Sequence, residues 1–468
     1  MGKASSLFNG NSDQTLIKRI TPTQEQREFL QTQWNALADH LKAELYADYG
    51  FPISTWLQGS YKFATLIRPV HIVEEYDVDV GIYFEWDDES DSQPTPTQLR
   101  NWVQQELINY AAMVEDLKHI EAPPKERCSR AVYTNKFHID TPVYHLDKSS
   151  DTRKLACLSG EWEYSDPKAI YKWFRDAVNP DDMDQLRRLV RYFKAWAAIE
   201  FESTSKARPS SILLTVLVTN IFQESLLSRL FGMDDEDAFI MVIKDMHKQL
   251  FNNKEVKNPI DLDESLNRIP DEHWEAFLTS LQTLRNTAEK AEEAADEVSA
   301  AITWSEVFSF LMPLPETNEV EIVEENSGKA IMQLPEITVD VFARNPKRLI
   351  AKYINEVPSV TKDCDLVFRI TNSHIIPRYA SIEWTVRNDG EESNYLGDLG
   401  HRQVVIGMLE TEEHTAYAGL HYMDCIVRLN GDVYSVRRVP VNVVDIRYPQ
   451  RNPPRPSYTK ILSKLRRR

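Results

Sequence analysis

The stretch Tyr76-Asp77-Val78-Asp79-Val80-Gly81-Ile82-Tyr83-Phe84-Glu85 alternates Val78, Val80, Ile82 and Phe84 with other residues, the pattern of a β-strand with one core face. Side chains repeat every two residues along a strand, so Asp77 and Asp79 project together from its start. Two carboxylates held that close repel. A cation between them relieves the repulsion, and hard oxygen donors select Mg2+ or Mn2+; the solvent face of an edge strand would show the same pair. Upstream stands Leu57-Gln58-Gly59-Ser60-Tyr61-Lys62, after a short β-like run. A glycine lets phosphate approach the backbone, and the serine adds a hydroxyl donor. Alone, a Gly-Ser step is no motif; ahead of Asp-x-Asp it gives a phosphate cradle facing a metal site. In Lys136-Phe137-His138-Ile139-Asp140-Thr141-Pro142-Val143, Phe137 and Ile139 face the core and Asp140 the polar side. An Asp before Thr-Pro often only precedes a turn, but with the other two motifs it supplies the third carboxylate of a two-metal site.

The chemistry such a site performs is nucleotidyl transfer. One metal lowers the pKa of an attacking hydroxyl and the other holds the triphosphate and the leaving pyrophosphate. Asp140 would lie nearest the nucleophile and could serve as its base. Farther along, Arg187, Arg191 and Lys194 share one side of a helix whose buried stripe is Leu186, Leu189, Val190, Phe193 and Ala197. A basic face can hold triphosphate beside an acidic site; for Arg187 and Arg191 a solvated cationic face is the plainer reading. Ser210 and Ser211 follow Pro209 and either contact phosphate or cap the next helix. Trp162, Tyr164, Trp173 and Tyr192 could stack on a nucleobase or simply fill core and rim.

Positioning these residues requires a mixed α/β part followed by a helical one. A helix is expected over 21–49 on a frame of Phe29, Leu30, Trp34, Leu37, Leu41 and Leu45, and another over 97–117. Strands are expected over 53–57, 76–86, 131–133 and 137–146. Helices follow over 167–177, 184–199, 210–231, 238–251, 271–300 and 304–310. Pro313-Leu314-Pro315 and the acidic, Asn-Ser-Gly-containing run after it mark a boundary. The expected division is an α/β catalytic part over 1–160, a helical part over 161–312, a linker over 313–335 and a β-rich domain over 336–468. That last domain shows β-like runs over 365–371, 382–387, 415–420, 422–429 and 432–439 with Asn-Asp-Gly and Asn-Gly turns. Residues 451–468 carry Arg451, Arg455, Lys460, Lys464, Arg466, Arg467 and Arg468 and no acidic residue, which reads as a solvated basic tail.

Composition excludes several classes. The 468 residues are 42% hydrophobic and 27% charged, as in a globular protein of two or three domains. No run reaches the roughly 18 apolar residues of a membrane span. The N-terminal Met-Gly-Lys-Ala-Ser-Ser-Leu-Phe lacks a secretory apolar core, so a cytoplasmic protein is expected. A net charge of −18 argues against nonspecific coating of nucleic acid, which needs cations against phosphates. Cys128, Cys157, Cys364 and Cys425 lie far apart and read as reduced structural thiols. His414 and His421 are not a convincing metal pair.

The order Gly-Ser, Asp-x-Asp, lone Asp resembles the polymerase-beta nucleotidyltransferase superfamily. Gln58-Gly59-Ser60-Tyr61-Lys62 with Thr65 and Arg68-Pro69, Glu75-Tyr76-Asp77-Val78-Asp79, Trp162-Glu163-Tyr164-Ser165-Asp166-Pro167, Phe193-Lys194-Ala195-Trp196 and Arg208-Pro209-Ser210-Ser211 resemble the cGAS/DncV-like branch (CD-NTases, SMODS class). Trp384-Thr385-Val386-Arg387-Asn388-Asp389-Gly390 and the 413–425 stretch resemble the adenylyl/guanylyl and SMODS C-terminal sensor domain, departing where Leu396-Gly397-Asp398 replaces a frequent Leu-Arg-Gly turn. The resemblance implies an α+β fold: a polymerase-beta-like core of mixed sheet plus helices, a helical half, and a β-rich sensor domain. It implies Mg2+ or Mn2+ at Asp77, Asp79 and Asp140, and ATP or other ribonucleoside triphosphates bound by Gln58, Gly59, Ser60, Lys62, Lys194 and Ser210 or Ser211. The implied product is a cyclic di- or trinucleotide second messenger of bacterial anti-phage (CBASS) signalling. It would act on a downstream effector, with a regulatory ligand at the sensor domain. Two alternatives keep parts of this: transfer of a nucleotide to RNA, protein or a small molecule, and a ligand-gated scaffold without catalysis.

Overall fold

The computed structural model describes residues 2–12, 14–87, 93–225, 232–315, 321–323, 329–331, 334–344, 347–406, 408–429 and 432–447. It begins with two short helices, α1 (Ser5–Asn9) and α2 (Leu16–Ile20), to which the sequence pattern assigned no structure. Their anchor is Phe8, fully buried, with its ring 5.2 Å from Tyr192 and 5.3 Å from Trp304. The long helix α3 (Gln24–Tyr49) starts at a capping box formed by Thr23 and Gln26 and ends at Gly50 in the left-handed region.

The central sheet follows. Strand β1 (Ile53–Gln58) leads through the four-residue helix α4 (Gly59–Lys62) and a loop to β2 (Tyr76–Glu85), which pairs antiparallel with it from Ile53 opposite Phe84 to Gln58 opposite Asp79. Helix α5 (Pro96–Ala111) stops short of the expected 117, because Leu117 opens an edge strand, β3 (Leu117–Ile120), opposite Tyr133. After β4 (Ser129–Tyr133), the run expected as one strand over 137–146 divides at Pro142 into β5 (Phe137–Thr141) and β6 (Val143–Asp147). Proline has no N–H to give the ladder, and here its carbonyl accepts from Ile82 N at 2.9 Å. Both halves run parallel to β2, on the edge away from β1. Strands β7 (Thr152–Ala156) and β8 (Trp162–Tyr164) complete the order β3-β4-β5-β2-β6-β7-β8, with β1 also on β2.

The expected core face of β2 is the observed one. Val78, Val80, Ile82 and Phe84 are buried with Leu37 and Leu41 of α3 and Leu99, Val103 and Leu107 of α5. Asp77 and Asp79 are left to the opposite face. That face is approached by α6 (Pro167–Arg175), whose Tyr171 stacks on Phe63, and by α7 (Pro180–Glu200), whose Lys194 reaches Ser60. Helices α8 (Ser211–Glu224), α9 (Asp235–Asn252), α10 (Asp271–Glu292) and α11 (Glu297–Phe308) complete the helical part. The helix expected over 271–300 is two helices. Asp296 caps α11 by accepting from Ser299 N, and an N-cap residue cannot also continue the helix before it. Residues 226–231 of the helix expected over 210–231 lie outside the described residues.

The chain divides into two units, Met1–Pro315 with Tyr395–Leu399, and Glu316–Asn394 with Gly400–Arg468. The second is β-rich. Strands 347–354, 337–344, 364–370 and 410–414 form one sheet, 357–362, 432–447, 419–429, 381–387 and 400–406 a second, and 321–323 pairs with 329–331 in a two-stranded one. A shared core includes Val339, Phe368, Trp384, Cys425 and Val441. The run expected as a strand over 415–420 is mostly the connection between two strands. The basic tail over 451–468 lies outside the described residues. Among the described residues all four cysteines are free, and no helix is long and apolar enough to cross a membrane.

Candidate active site

Parallel pairing of β2 with β5 sets Asp77 opposite His138 and Asp79 opposite Asp140. Strand parity therefore puts all four side chains on one face. Side-chain ligand atoms of Asp77, His138 and Asp140 lie within 4.8 Å of one another, a spacing that fits a divalent cation. Asp79 stands beside them, desolvated and crowded. Desolvation, then the charges of Asp77 and Asp140, hold its carboxyl well above the ordinary value against the pull of Arg130 and Lys125. Carboxylates that resist ionising together are what a cation would relieve, so the donor set fits Mg2+ or Mn2+.

Protein cations balance the cluster from its flank. Arg130 on β4, directly across from Asp140, gives it two hydrogen bonds, Nε to Oδ1 at 2.6 Å and Nη2 to Oδ2 at 2.8 Å. Lys125 Nζ stands 3.5 Å from the same carboxylate. Against desolvation, which would raise it, these partners keep Asp140 below the ordinary carboxylate value. His138 Nε2 lies 2.8 Å from Asp77 Oδ1 and its Nδ1 3.0 Å from Glu75 Oε2. Desolvation favours the neutral ring, yet these two carboxylates raise its pKa above the ordinary histidine value. Cys128 Sγ is 3.3 Å from Asp140 Oδ2, and burial with that neighbouring charge pushes the thiol up to about 12, which disfavours the thiolate at neutral pH.

The Gly-Ser turn closes over the aspartates. Gly59 has φ +61, and a Cβ there would lie 2.0 Å from Asp79 Oδ2. Backbone and carboxylate approach as only glycine permits. Ser60 Oγ accepts from Lys194 Nζ at 3.0 Å, and the same ammonium donates to Thr65 O at 3.2 Å and Thr65 Oγ1 at 3.1 Å. A cavity of about 250 Å³ opens here, bordered by Ser60, Asp77, Lys194, Arg208 and Ser211.

The predicted residues separate in the structure. Asp77, Asp79, Asp140, Gly59, Ser60, Lys194 and Ser211 gather at the site. Ser210 does not line the cavity; its side chain caps α8 by accepting from Leu213 N. The Gln58 amide lies beneath the turn, donating to Tyr83 Oη at 2.9 Å and accepting from Tyr144 Oη at 3.2 Å. Lys62 sits over the Trp56 ring at 4.3 Å. Arg191 is not on a solvated face: it is buried, and its guanidinium donates to Ala64 O at 2.6 Å and Leu66 O at 3.2 Å, fixing the loop after the Gly-Ser turn. Tyr192 is buried in the aromatic cluster around Phe8. Sequence reasoning missed Arg130 and Lys125, and named Thr65 only as part of the resembling turn. His138 was legible in principle, since it shares strand parity with Asp140.

Lys194 carries a pH signature. Desolvation, followed by Arg191, pushes its ammonium down to about 7, with Asp79 and Asp77 opposing. A group at that value would be mostly neutral at pH 8 in the free protein, and an anion bound beside it would restore the proton. Calorimetric titration of nucleotide into Mg2+-saturated protein at pH 8, in buffers of different ionisation enthalpy, should show uptake of up to about 0.9 proton per nucleotide beyond that of Lys194→Met. Equal uptake by both proteins would remove Lys194 from the binding site.

Comparison with known proteins places this geometry. Residues 53–144 match the family model of the nucleotidyltransferase domain of cyclic GMP-AMP synthase DncV-like proteins, and residues 318–444 match the adenylyl/guanylyl and SMODS C-terminal sensor domain. A cyclic GMP-AMP synthase of Escherichia albertii is 28% identical over 87% of this chain and 88% of its own. A c-di-GMP synthase of Roseivirga ehrenbergii is 24% identical over 64% of this chain and 86% of its own. The crystal structure of the Vibrio cholerae DncV cyclic AMP-GMP synthase superposes with a TM-score of 0.57 at 20% identity, over 67% of this chain and 98% of that one. The 3'-deoxy GTP-bound form of Escherichia coli DncV gives 0.55 at 22% identity, over 66% and 97%. The carboxylates of β2 and β5 beside a Gly-Ser turn lie within the first of the two matched segments, and the chain carries a DncV-like nucleotidyltransferase domain followed by an adenylyl/guanylyl and SMODS C-terminal sensor domain, the make-up of a nucleotidyltransferase enzyme.

Proposed function

We propose that this enzyme joins ribonucleoside triphosphates into a cyclic dinucleotide second messenger, in the cytoplasm, as part of bacterial anti-phage signalling. The observation that carries the reading is the register of Asp77, Asp79 and Asp140 on one sheet face beside Gly59, Ser60 and Lys194. Support comes from the relatives, whose names are cyclic GMP-AMP and c-di-GMP synthases. ATP and GTP are the substrates this suggests.

Divalent cations, when bound, would be held by Asp77, Asp79 and Asp140, and would neutralise phosphate charge and lower the pKa of the attacking hydroxyl. Ser60 and Lys194 bind the triphosphate of the donor. The 2'- or 3'-hydroxyl of the acceptor enters on the Asp140 side, where Arg130 and Lys125 offer positive charge. Its oxygen attacks the α-phosphorus as its proton passes to the Asp140 carboxylate, the bond to the bridging oxygen of the β-phosphate breaks, and pyrophosphate leaves. A second such step within the linear product closes the ring. Positioning and electrostatics carry the rate without a covalent protein intermediate. The sensor domain is proposed to take a regulatory ligand.

The test is incubation of the purified protein with all four ribonucleoside triphosphates and Mg2+ or Mn2+, then phosphatase treatment and mass spectrometry, with the double variant Asp77→Asn, Asp79→Asn as control. A phosphatase-resistant cyclic dinucleotide, absent from the control, is expected. A nucleotide added instead to RNA, protein or a small molecule would replace this reading with the transferase one.

A further inference from the structure

The cavity beside Asp77 is also bordered by a cation that the described chemistry leaves unused. Three basic side chains border it: Arg68, Lys194 and Arg208. Two are committed to the protein. Arg68 is buried and its Nε donates to Thr21 O at 2.7 Å, while Lys194 is buried among Ser60 and Thr65. Arg208 differs. Its side chain retains 35% exposure, and it stands at the cavity wall in an ion pair with Glu74, Nη1 to Oε1 at 2.7 Å.

Glu74 holds this arginine while itself being anchored. Its other oxygen accepts from Val70 N at 2.9 Å and His71 N at 3.4 Å, closing the loop that forms one wall of the cavity. Its carboxyl stays below the ordinary value despite desolvation, through Arg208 and the Val70 N–H. The carboxylate thus keeps its loop bonds if the guanidinium swings away. An Arg–Glu pair that keeps contact with solvent is weak by itself, so a multiply charged anion in the cavity can outcompete it. The planar guanidinium suits two oxygens of one phosphate.

One cavity therefore gathers Asp77 of the metal-fitting cluster, Ser60, Lys194 and Ser211, and the Arg208–Glu74 pair. A nucleoside triphosphate with its α-phosphate over the aspartates needs positive charge for the β- and γ-phosphates in this cavity. We propose that Arg208 is a specificity residue that binds the terminal phosphate of the donor nucleotide, exchanging Glu74 for it, and so selects triphosphate over diphosphate. This rests on the nucleotidyl-transfer reading of the site.

The test measures affinities of a nonhydrolysable triphosphate and of the matching diphosphate, both with Mg2+, for the full chain and for Arg208→Gln, Arg208→Lys and Glu74→Gln. In the wild type the triphosphate is expected to bind more tightly. In Arg208→Gln that preference should fall by about 10-fold or more through loss of triphosphate affinity, with diphosphate affinity within about 3-fold of wild type. Arg208→Lys should recover part of the preference. Glu74→Gln, which removes the competing carboxylate charge and keeps the arginine, should bind triphosphate as well as wild type or better. Equal weakening of both nucleotides in Arg208→Gln, or a preference unchanged by it, overturns the proposal while leaving the nucleotidyl-transfer reading intact. Loss of preference in Glu74→Gln as large as in Arg208→Gln overturns it too, by making the pair structural. Absence of Mg2+-dependent binding of either nucleotide to the wild type overturns both readings.

Discussion

Asp79→Asn should reduce product formation by at least about 10³-fold, an effect of roughly 4 kcal/mol on the barrier, and should do so in a protein that is more stable than the parent without metal. The two effects have one cause. Asp79 is held well above its ordinary pKa by desolvation and by the carboxylates of Asp77 and Asp140, which is the cost of assembling three acids on one sheet face. Asparagine keeps the shape and removes that repulsion. Thermal unfolding in EDTA should give a higher midpoint for the variant by a few degrees, about 1 kcal/mol or more for a site of this kind. Adding Mg2+ or Mn2+ should raise the midpoint of the wild type and leave that of the variant nearly unchanged. Asp140→Asn should lose activity to a similar degree without the stability gain, because Asp140 is the carboxylate satisfied by Arg130 and Lys125. A variant at Asp79 that keeps activity within tenfold would exclude this carboxylate from the chemistry.

The contrast between Asp79 and Asp140 also shows what a linear sequence discloses. Alternation of Val78, Val80, Ile82 and Phe84 was enough to assign a core face, and period-two geometry then put Asp77 and Asp79 on the other one. Asp140 could be assigned a face by the same rule. What the rule does not give is which strand lies next to which. The pairing of β2 with β5, which sets Asp79 opposite Asp140, is tertiary, and so is the hairpin that brings Arg130 across from Asp140. Arg130 accordingly carried no signal, although it is the closest cation to the third carboxylate. Arg191 was misassigned for the same reason. Its helical position predicted exposure, whereas the carbonyls of Ala64 and Leu66 offered a buried guanidinium its partners. Ser210 and Ser211 were indistinguishable as letters. The cap at Leu213 N occupies the first and the cavity takes the second as part of its wall. Local rules located the acids and the Gly-Ser turn, and tertiary contacts chose the cations.

Gly59→Ala should reduce activity by about 10²-fold or more while the protein remains folded, and its effect is separable from ordinary backbone strain. Two terms act at this position. With φ +61, alanine carries the left-handed penalty, about 1–2 kcal/mol. Its Cβ would also lie 2.0 Å from Asp79 Oδ2 and 3.0 Å from Cγ, distances at which the carboxylate must move. Gly50 supplies the control. It too is left-handed, at φ +76, and a Cβ there meets nothing within 4 Å. Gly50→Ala should therefore lower the unfolding midpoint by as much as Gly59→Ala does through strain alone, and leave turnover within about twofold. If Gly59→Ala loses at least as much stability as Gly50→Ala and only Gly59→Ala loses turnover, the close approach of the Gly-Ser turn to Asp79 is what positions the site. If Gly59→Ala keeps turnover as well, Asp79 tolerates displacement, and the glycine serves the left-handed turn and nothing more. The first outcome is expected because Asp79 lies against the turn among the charges of Asp77 and Asp140, and a Cβ at Gly59 takes the place its carboxylate occupies there.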